Sequence, residues 1–322
     1  MRRTATLLIG TFALAAAAGA ATPQLDPKLP GYTKVQGLRG TLSAAGSDTM
    51  LELQTLMAEE FRKLYPQVTI QVEGKGSSTA PPALIEGTVQ IANMSRRMKN
   101  NELDAFEEKF GYEPTRVDVA LDTLAVFVHK DNPVEFLTIP QVDAIFSKTR
   151  KCGLATDLSV WGALALGGDW GTAPISLYGR NAASGTYGYF KDHALCRGDF
   201  RDTVKEQPGS ASVVQGLGKD RYGIGYSGIG YTTSEVRAVP LSPAAGQPPV
   251  TATPENAVNG SYPLARFLEV YVNKVPGRPL DRLTSEFLRF SLSADGQRVV
   301  VKAGFDPIDA ATAQLQLAKL ES

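Results

Sequence analysis

Residues suited to holding a small oxyanion are concentrated in one stretch of this 322-residue chain, Tyr178-Gly-Arg-Asn-Ala-Ala-Ser-Gly-Thr-Tyr-Gly-Tyr-Phe190. Arg180 brings a planar, permanently charged fork of donors that matches an oxyanion. Four residues later, Ser184-Gly185-Thr186 brings two hydroxyls. The aromatic run behind it reads as the start of a helix, whose first N–H groups and positive dipole end favour an anion. Three further hydroxyl-rich breaks have the same character: Ser47-Asp48-Thr49, Ser77-Ser78-Thr79 and Ser95-Arg96. Ser, Asp and Thr before a helix ordinarily cap it, so each break alone has that simpler reading. Four breaks together, two of them with arginine, set a shared anion site against capping. Asp48 has two readings as well. A carboxylate repels a dianion but accepts the proton of a P–OH group, so an acceptor here would choose protonated phosphate over sulfate. The other reading is a cap on the following helix.

The elements around these breaks decide whether they meet. Leu38–Ala45 reads as a strand. Met50–Tyr65 carries apolar residues at 50, 53, 56, 57, 61 and 64, with Pro66 just beyond, which is helix periodicity and a stop. Val68–Val72 is a β-branched, alternating strand. Pro81–Glu86 opens as a helix with proline in its first turn, Val89–Asn93 is a third strand, and Asn100–Phe110 a charged amphipathic helix. Strand, hydroxyl-rich break and helix thus recur three times, which predicts an α/β fold with a mostly parallel sheet. Ligands of such sheets bind at the carboxyl ends of the strands, where all three breaks fall. Val117–Val128 is apolar and β-branched, one long strand or two short ones. A helix follows over Thr138–Phe146. Ile175–Gly179 is a strand leading into Arg180, and Ser210–Gln215 a further helix start. The glycine-dense Gly223–Tyr231 reads as a strand and tight turn, because it lacks the Gly-Lys-Ser/Thr step of a phosphate loop. Leu264–Val272 is a second long apolar strand, and Arg282–Leu292 and Ser293–Lys302 end the chain as helices. The two long strands enclose a middle block, which suits two lobes joined by two crossings.

Composition narrows the function classes. Met1-Arg2-Arg3, the apolar Leu7–Ala20 and the small residues after it have the order of a secretory signal cut near Ala20 or Ala21. That run is short of the roughly 20 residues needed to span a bilayer. Export places Cys152 and Cys196 in an oxidising setting, where a single pair suggests one disulfide. With 33 basic and 33 acidic residues and no basic tract, nothing suggests a nucleic-acid or membrane-surface partner. The two histidines, His129 and His193, lie near neither a candidate nucleophile nor a metal-ligand spacing, so no metal, cofactor or catalytic group is expected.

Ala45-Gly-Ser-Asp-Thr-Met50, Gly76-Ser-Ser-Thr-Ala-Pro-Pro82, Met94-Ser-Arg-Arg-Met98, the Arg180 segment and Glu206-Gln-Pro-Gly-Ser-Ala-Ser212 resemble the periplasmic phosphate-binding proteins of bacterial ABC phosphate transporters. The likeness covers nearly the whole chain after the signal and is closest to the pseudomonad-type branch, related to the DING proteins. It implies a two-lobed type II periplasmic-binding-protein fold that closes on dehydrated inorganic phosphate and delivers it to the membrane permease. The expected division is a signal over 1–21, one lobe from 22–120 plus 264–322, and a second from 121–263, in a monomer. The resemblance implies that Ser47 and Thr49 hold phosphate from the first lobe with a hydroxyl from Ser77 or Ser78, and that Arg180, Ser184, Gly185 and Thr186 hold it from the second. Many members carry an aspartate at the third strand end. Here that place reads Met94-Ser95-Arg96, so either Asp48 takes over the acceptor role or discrimination against sulfate works differently, and Arg96 either contacts ligand or pairs with Asp48. An exported phosphate-ester hydrolase with the same pocket, or a binder of another tetrahedral oxyanion such as sulfate, is the alternative function.

Overall fold

The computed structural model describes residues 23–321; the predicted signal segment lies outside the described residues. The first half builds three strand–helix units: β1 (Gly40–Gly46), α1 (Leu51–Leu64), β2 (Val68–Gly74), a 3₁₀ turn over Ser77–Thr79, α2 (Ala80–Glu86), β3 (Ile91–Met94) and α3 (Asn100–Phe110). β1 lies between β2 and β3, parallel to both, as alternating strands and helices require. Gly46 ends β1 at φ 132°, and a Cβ there would meet the Asn93 carbonyl oxygen at 2.3 Å. Only glycine fits this close turn.

β4 (Thr115–His129) is one 15-residue strand, which settles the open reading of the Val117–Val128 run. Its first half pairs antiparallel with the later β11 (Ala265–Val272), which also pairs with β3. Its second half, Leu124–Val128, pairs with β8 (Gly223–Gly228) instead. The register between β4 and β11 slips at Leu268/Glu269, a bulge that adds local twist near the crossing. Between the two crossings run β5 (Leu137–Thr138), α4 (Ile139–Phe146), β6 (Ser176–Arg180), α5 (Gly185–Ala194), β7 (Lys205–Gln207), α6 (Ser210–Leu217), β8, a 3₁₀ turn at Ile229–Tyr231, β9 (Val236–Ala238), β10 (Leu241–Ser242) and α7 (Pro254–Val258). β6 lies between β7 and β8, parallel to both. The sheet order is β2-β1-β3-β11-β4-β8-β6-β7, with β9 also on β4. α8 (Arg282–Ser291), α9 (Ala294–Lys302) and α10 (Ala310–Glu321) return to the first lobe. The chain therefore does not end as helices at Lys302, as the sequence suggests: α10 follows.

Each lobe has its own core. In the first, Phe61 meets Phe287 edge-on at 5.3 Å, so α1 and α8 close over the sheet. In the second, Phe190 of α5 stacks on Tyr226 of β8 at 3.9 Å, with Phe146 of α4 edge-on to both. Cys152 and Cys196 form a disulfide in the second lobe, with Cα atoms 5.4 Å apart. Among the described residues no helix is long and apolar enough to cross a membrane.

Candidate anion-binding cleft

The carboxyl ends of β1, β2, β3 and β6 face one another across the lobes, and the four hydroxyl-rich breaks meet there. Arg180, the last residue of β6, is almost wholly buried. Its guanidinium donates to the Ser210 hydroxyl (3.0 Å), the Gln207 carbonyl (3.3 Å) and the Pro208 carbonyl (3.2 Å), all in its own lobe. Its remaining partner is Oδ2 of Asp48, reached across the cleft. Burial presses this guanidinium down to about 10. Even so, an arginine keeps its proton.

Capping does not account for the breaks before α1 and α2. α1 is preceded by Met50 with no side-chain cap, so Asp48 turns to Arg180 instead. Thr79 precedes α2 without a side-chain cap either. Ser77 instead accepts from the Ser95 amide at 3.0 Å and pairs with the Ser95 hydroxyl at 3.2 Å. Ser184 is a true cap: its hydroxyl accepts from the Thr186 amide at 3.2 Å. Thr186 then reaches across to Thr49, hydroxyl to hydroxyl, at 2.7 Å. Ser78 joins the lobes through its amide, which donates to the Ala183 carbonyl at 3.1 Å. Gly185 lies so close to the first lobe that an added Cβ would stand 2.2 Å from the Ser77 hydroxyl and 2.5 Å from that of Ser95.

Two polar atoms in this group are buried without a partner, the Ser47 hydroxyl and Asp48 Oδ1. An orphaned buried acceptor costs about 1–3 kcal/mol, so a native site that keeps one has a use for it. Arg96 stands apart. Its guanidinium grips Glu102 in α3 with two bonds of 2.7 and 2.8 Å and donates to the Arg97 carbonyl and the Ser78 hydroxyl. It is not paired with Asp48, which removes one of the two roles the sequence left open for it.

The sequence reading missed four cleft residues. Ser210, within the quoted Glu206–Ser212 segment, holds Arg180. Tyr231 donates to the Thr49 carbonyl at 3.3 Å. Asp122 and Arg266 form a buried ion pair on the crossing strands, 2.8 and 3.0 Å. Their signal was an ionisable residue inside each long apolar strand, because a charge buried there must be paired. Among the described residues no group of three or more His, Cys, Asp or Glu is placed to hold a metal.

This fold and cleft are those of a periplasmic-binding-protein superfamily member, and the PBP superfamily domain matches residues 32–295. The phosphate-binding protein PstS of Pseudomonas aeruginosa is 56% identical over 303 residues, covering 94% of each chain. The chain belongs to the PBP superfamily and, within it, to the PstS family. A solved Clostridium perfringens structure with bound phosphate, described as a phosphate ABC transporter substrate-binding protein, is 27% identical with a TM-score of 0.69, covering 84% of this chain and all of its own. A phosphate-bound DING-type protein shares the fold at TM-score 0.65 and 13% identity, over 87% of this chain and 93% of its own.

Proposed function

We propose that this protein binds inorganic phosphate outside the cytoplasmic membrane and delivers it to the permease of an ABC phosphate transporter. The observation that carries this is the meeting of Arg180 and Asp48 across the cleft, with Asp48 Oδ1 buried and unpartnered beside them. Asp48 already occupies an Arg180 donor, so an anion entering there faces a carboxylate. A sulfate dianion is repelled. A phosphate that carries a proton donates it to Oδ1 while its other oxygens take the donors of Arg180, Ser47, Thr49, Ser77, Gly185 and Thr186. Ser95 sits on Ser77 and holds that hydroxyl, and Ser184 shapes the helix start. Arg96, held by Glu102, braces Ser78 instead of contacting the anion in this reading.

The lobes in this reading are residues 22–120 with 264–322, and 121–263, turning on β4 and β11 as a hinge in a monomer. The segment 1–21 is a signal removed on export, so the working compartment is the periplasm. Binding rather than catalysis is favoured because the PstS relatives bear the name of phosphate-binding proteins.

Equilibrium dialysis of ligand-stripped protein against labelled phosphate tests the reading, with Arg180→Ala beside the native chain. The Nη1 proton that Gln207, Ser210, Pro208 and Asp48 leave free offers one charge-assisted bond of about 1.5–3 kcal/mol, so the variant is expected to bind at least about tenfold more weakly. An affinity within threefold of the native protein contradicts the assignment. Turnover of a chromogenic phosphomonoester that Arg180→Ala abolishes moves the protein to the hydrolase reading.

A further inference from the structure

Arg266, the second residue of β11, lies opposite Asp122 of β4, so both sit where the chain crosses between the lobes. The Arg266 side chain is buried, and its guanidinium touches three separate parts of the molecule. Nε and Nη2 hold Asp122 Oδ2, Nη1 donates to the Ser95 carbonyl at 2.6 Å, and Nη2 donates to the Thr186 hydroxyl at 2.8 Å. Its Cζ lies over the Tyr189 ring, 5.0 Å from the centroid. Thr186 is the residue that reaches Thr49 from the opposite lobe.

We propose that Arg266 is a positioning residue of the anion site, which orients the Thr186 hydroxyl as a donor to bound phosphate and makes that orientation depend on lobe closure. The proposal rests on the phosphate reading above. A guanidinium can only donate. It therefore occupies a lone pair of Thr186 and leaves that residue's single proton for the other side, where Thr49 or an anion lies. A hydroxyl that accepts from a cation is also a stronger donor, because hydrogen bonds in a chain polarise one another. The same guanidinium ties the start of α5 to the end of β3 through the Ser95 carbonyl, so the donor is set only when the lobes are together. A lysine cannot reproduce this, since one ammonium does not span a carboxylate, a carbonyl and a hydroxyl in the plane of a fork.

A double-mutant cycle reads the coupling: calorimetric phosphate titrations of the native protein, Arg266→Lys, Thr186→Val and the double variant. Each single change is expected to weaken binding about tenfold or more. In the Thr186→Val background, Arg266→Lys is expected to cost less than about threefold, because the hydroxyl it orients is gone. Thr186→Ser, which keeps the hydroxyl, is expected to stay within about threefold of native. An Arg266→Lys effect of the same factor in both backgrounds, or one below twofold, overturns the proposal while the phosphate reading stands. A native protein that takes up no phosphate overturns both. If Arg266→Lys does not fold, Asp122→Asn, which loosens the anchor of the same guanidinium, goes through the cycle and is judged by the same factors.

Discussion

In the proposed reading, the choice between phosphate and sulfate turns on Asp48. One of its oxygens is fixed on Arg180 and the other is buried with no donor. Asp48→Asn keeps the shape, and because Arg180 can only donate, the amide oxygen stays on it and an NH2 group takes the place of Oδ1, removing both the charge that repels a dianion and the acceptor that takes the proton. The expected outcome is a fall in the phosphate-over-sulfate ratio of at least about tenfold, mostly through tighter sulfate binding. Competitive titration measures it, and an unchanged ratio would return Asp48 to a purely structural partner of Arg180. Arg180 and the Ser-Gly-Thr step were legible in the sequence because their chemistry is local and adjacent in the chain. Asp122 and Arg266 are 144 residues apart and meet only through strand pairing. A sequence shows Asp122 with Asp118 in one apolar run and Arg266 with Glu269 in the other, and cannot say which charge answers which. Arg96 looked available for the same reason: its partner Glu102 lies just six residues on, but only the turn into α3 brings them together.

At the scale of elements, the helix start at α5 is what closes the site. Gly185 packs its bare backbone on Ser77 and Ser95. Within α5 an alanine is the better helix former by up to about 1 kcal/mol, but across the cleft its methyl needs space that the two serines fill. Gly185→Ala is therefore expected to leave the ligand-free melting temperature unchanged or slightly raised, while phosphate affinity drops at least about tenfold and the phosphate-induced rise in Tm shrinks. Thermal melts with and without phosphate check this, and a full phosphate-induced shift in the variant would show that the lobes close without that contact. The strands and helices of the first lobe were readable to within a residue or two because periodicity, Pro66 and the breaks agree. α10 was not. Its Gln314-Leu-Gln-Leu317 alternation breaks the helical stripe, and one of its inward residues is Gln316, which accepts from the Asp118 amide at 3.2 Å and donates to the Asp118 carboxylate. A buried polar partner supplied by β4 replaces the apolar face a sequence would show.

Across the whole molecule, two strands carry the connection between lobes, and the disulfide stays within one of them. The Cys152–Cys196 bridge closes 44 residues in the second lobe, at the end of α5 away from Ser184. Replacing both cysteines by alanine is expected to lower unfolding free energy by up to about 4 kcal/mol with phosphate affinity within about twofold of native. Urea denaturation and titration of the same preparation check the two halves, and a large loss of affinity would mean that the bridge shapes the cleft. The two long apolar strands were legible and already suggested two crossings. The switch of β4 from β11 to β8 at Leu124 was not, since it depends on a register no single strand contains.

The central claim is that the cleft selects phosphate by charge from Arg180 and proton acceptance by Asp48. Calorimetric titration of ligand-stripped native protein with phosphate, and then with sulfate, tests it most directly. The account predicts one phosphate per chain at micromolar affinity or tighter, with sulfate at least about a hundredfold weaker, a difference of about 2.8 kcal/mol. Equal affinity for the two anions, or no heat from phosphate, would contradict it.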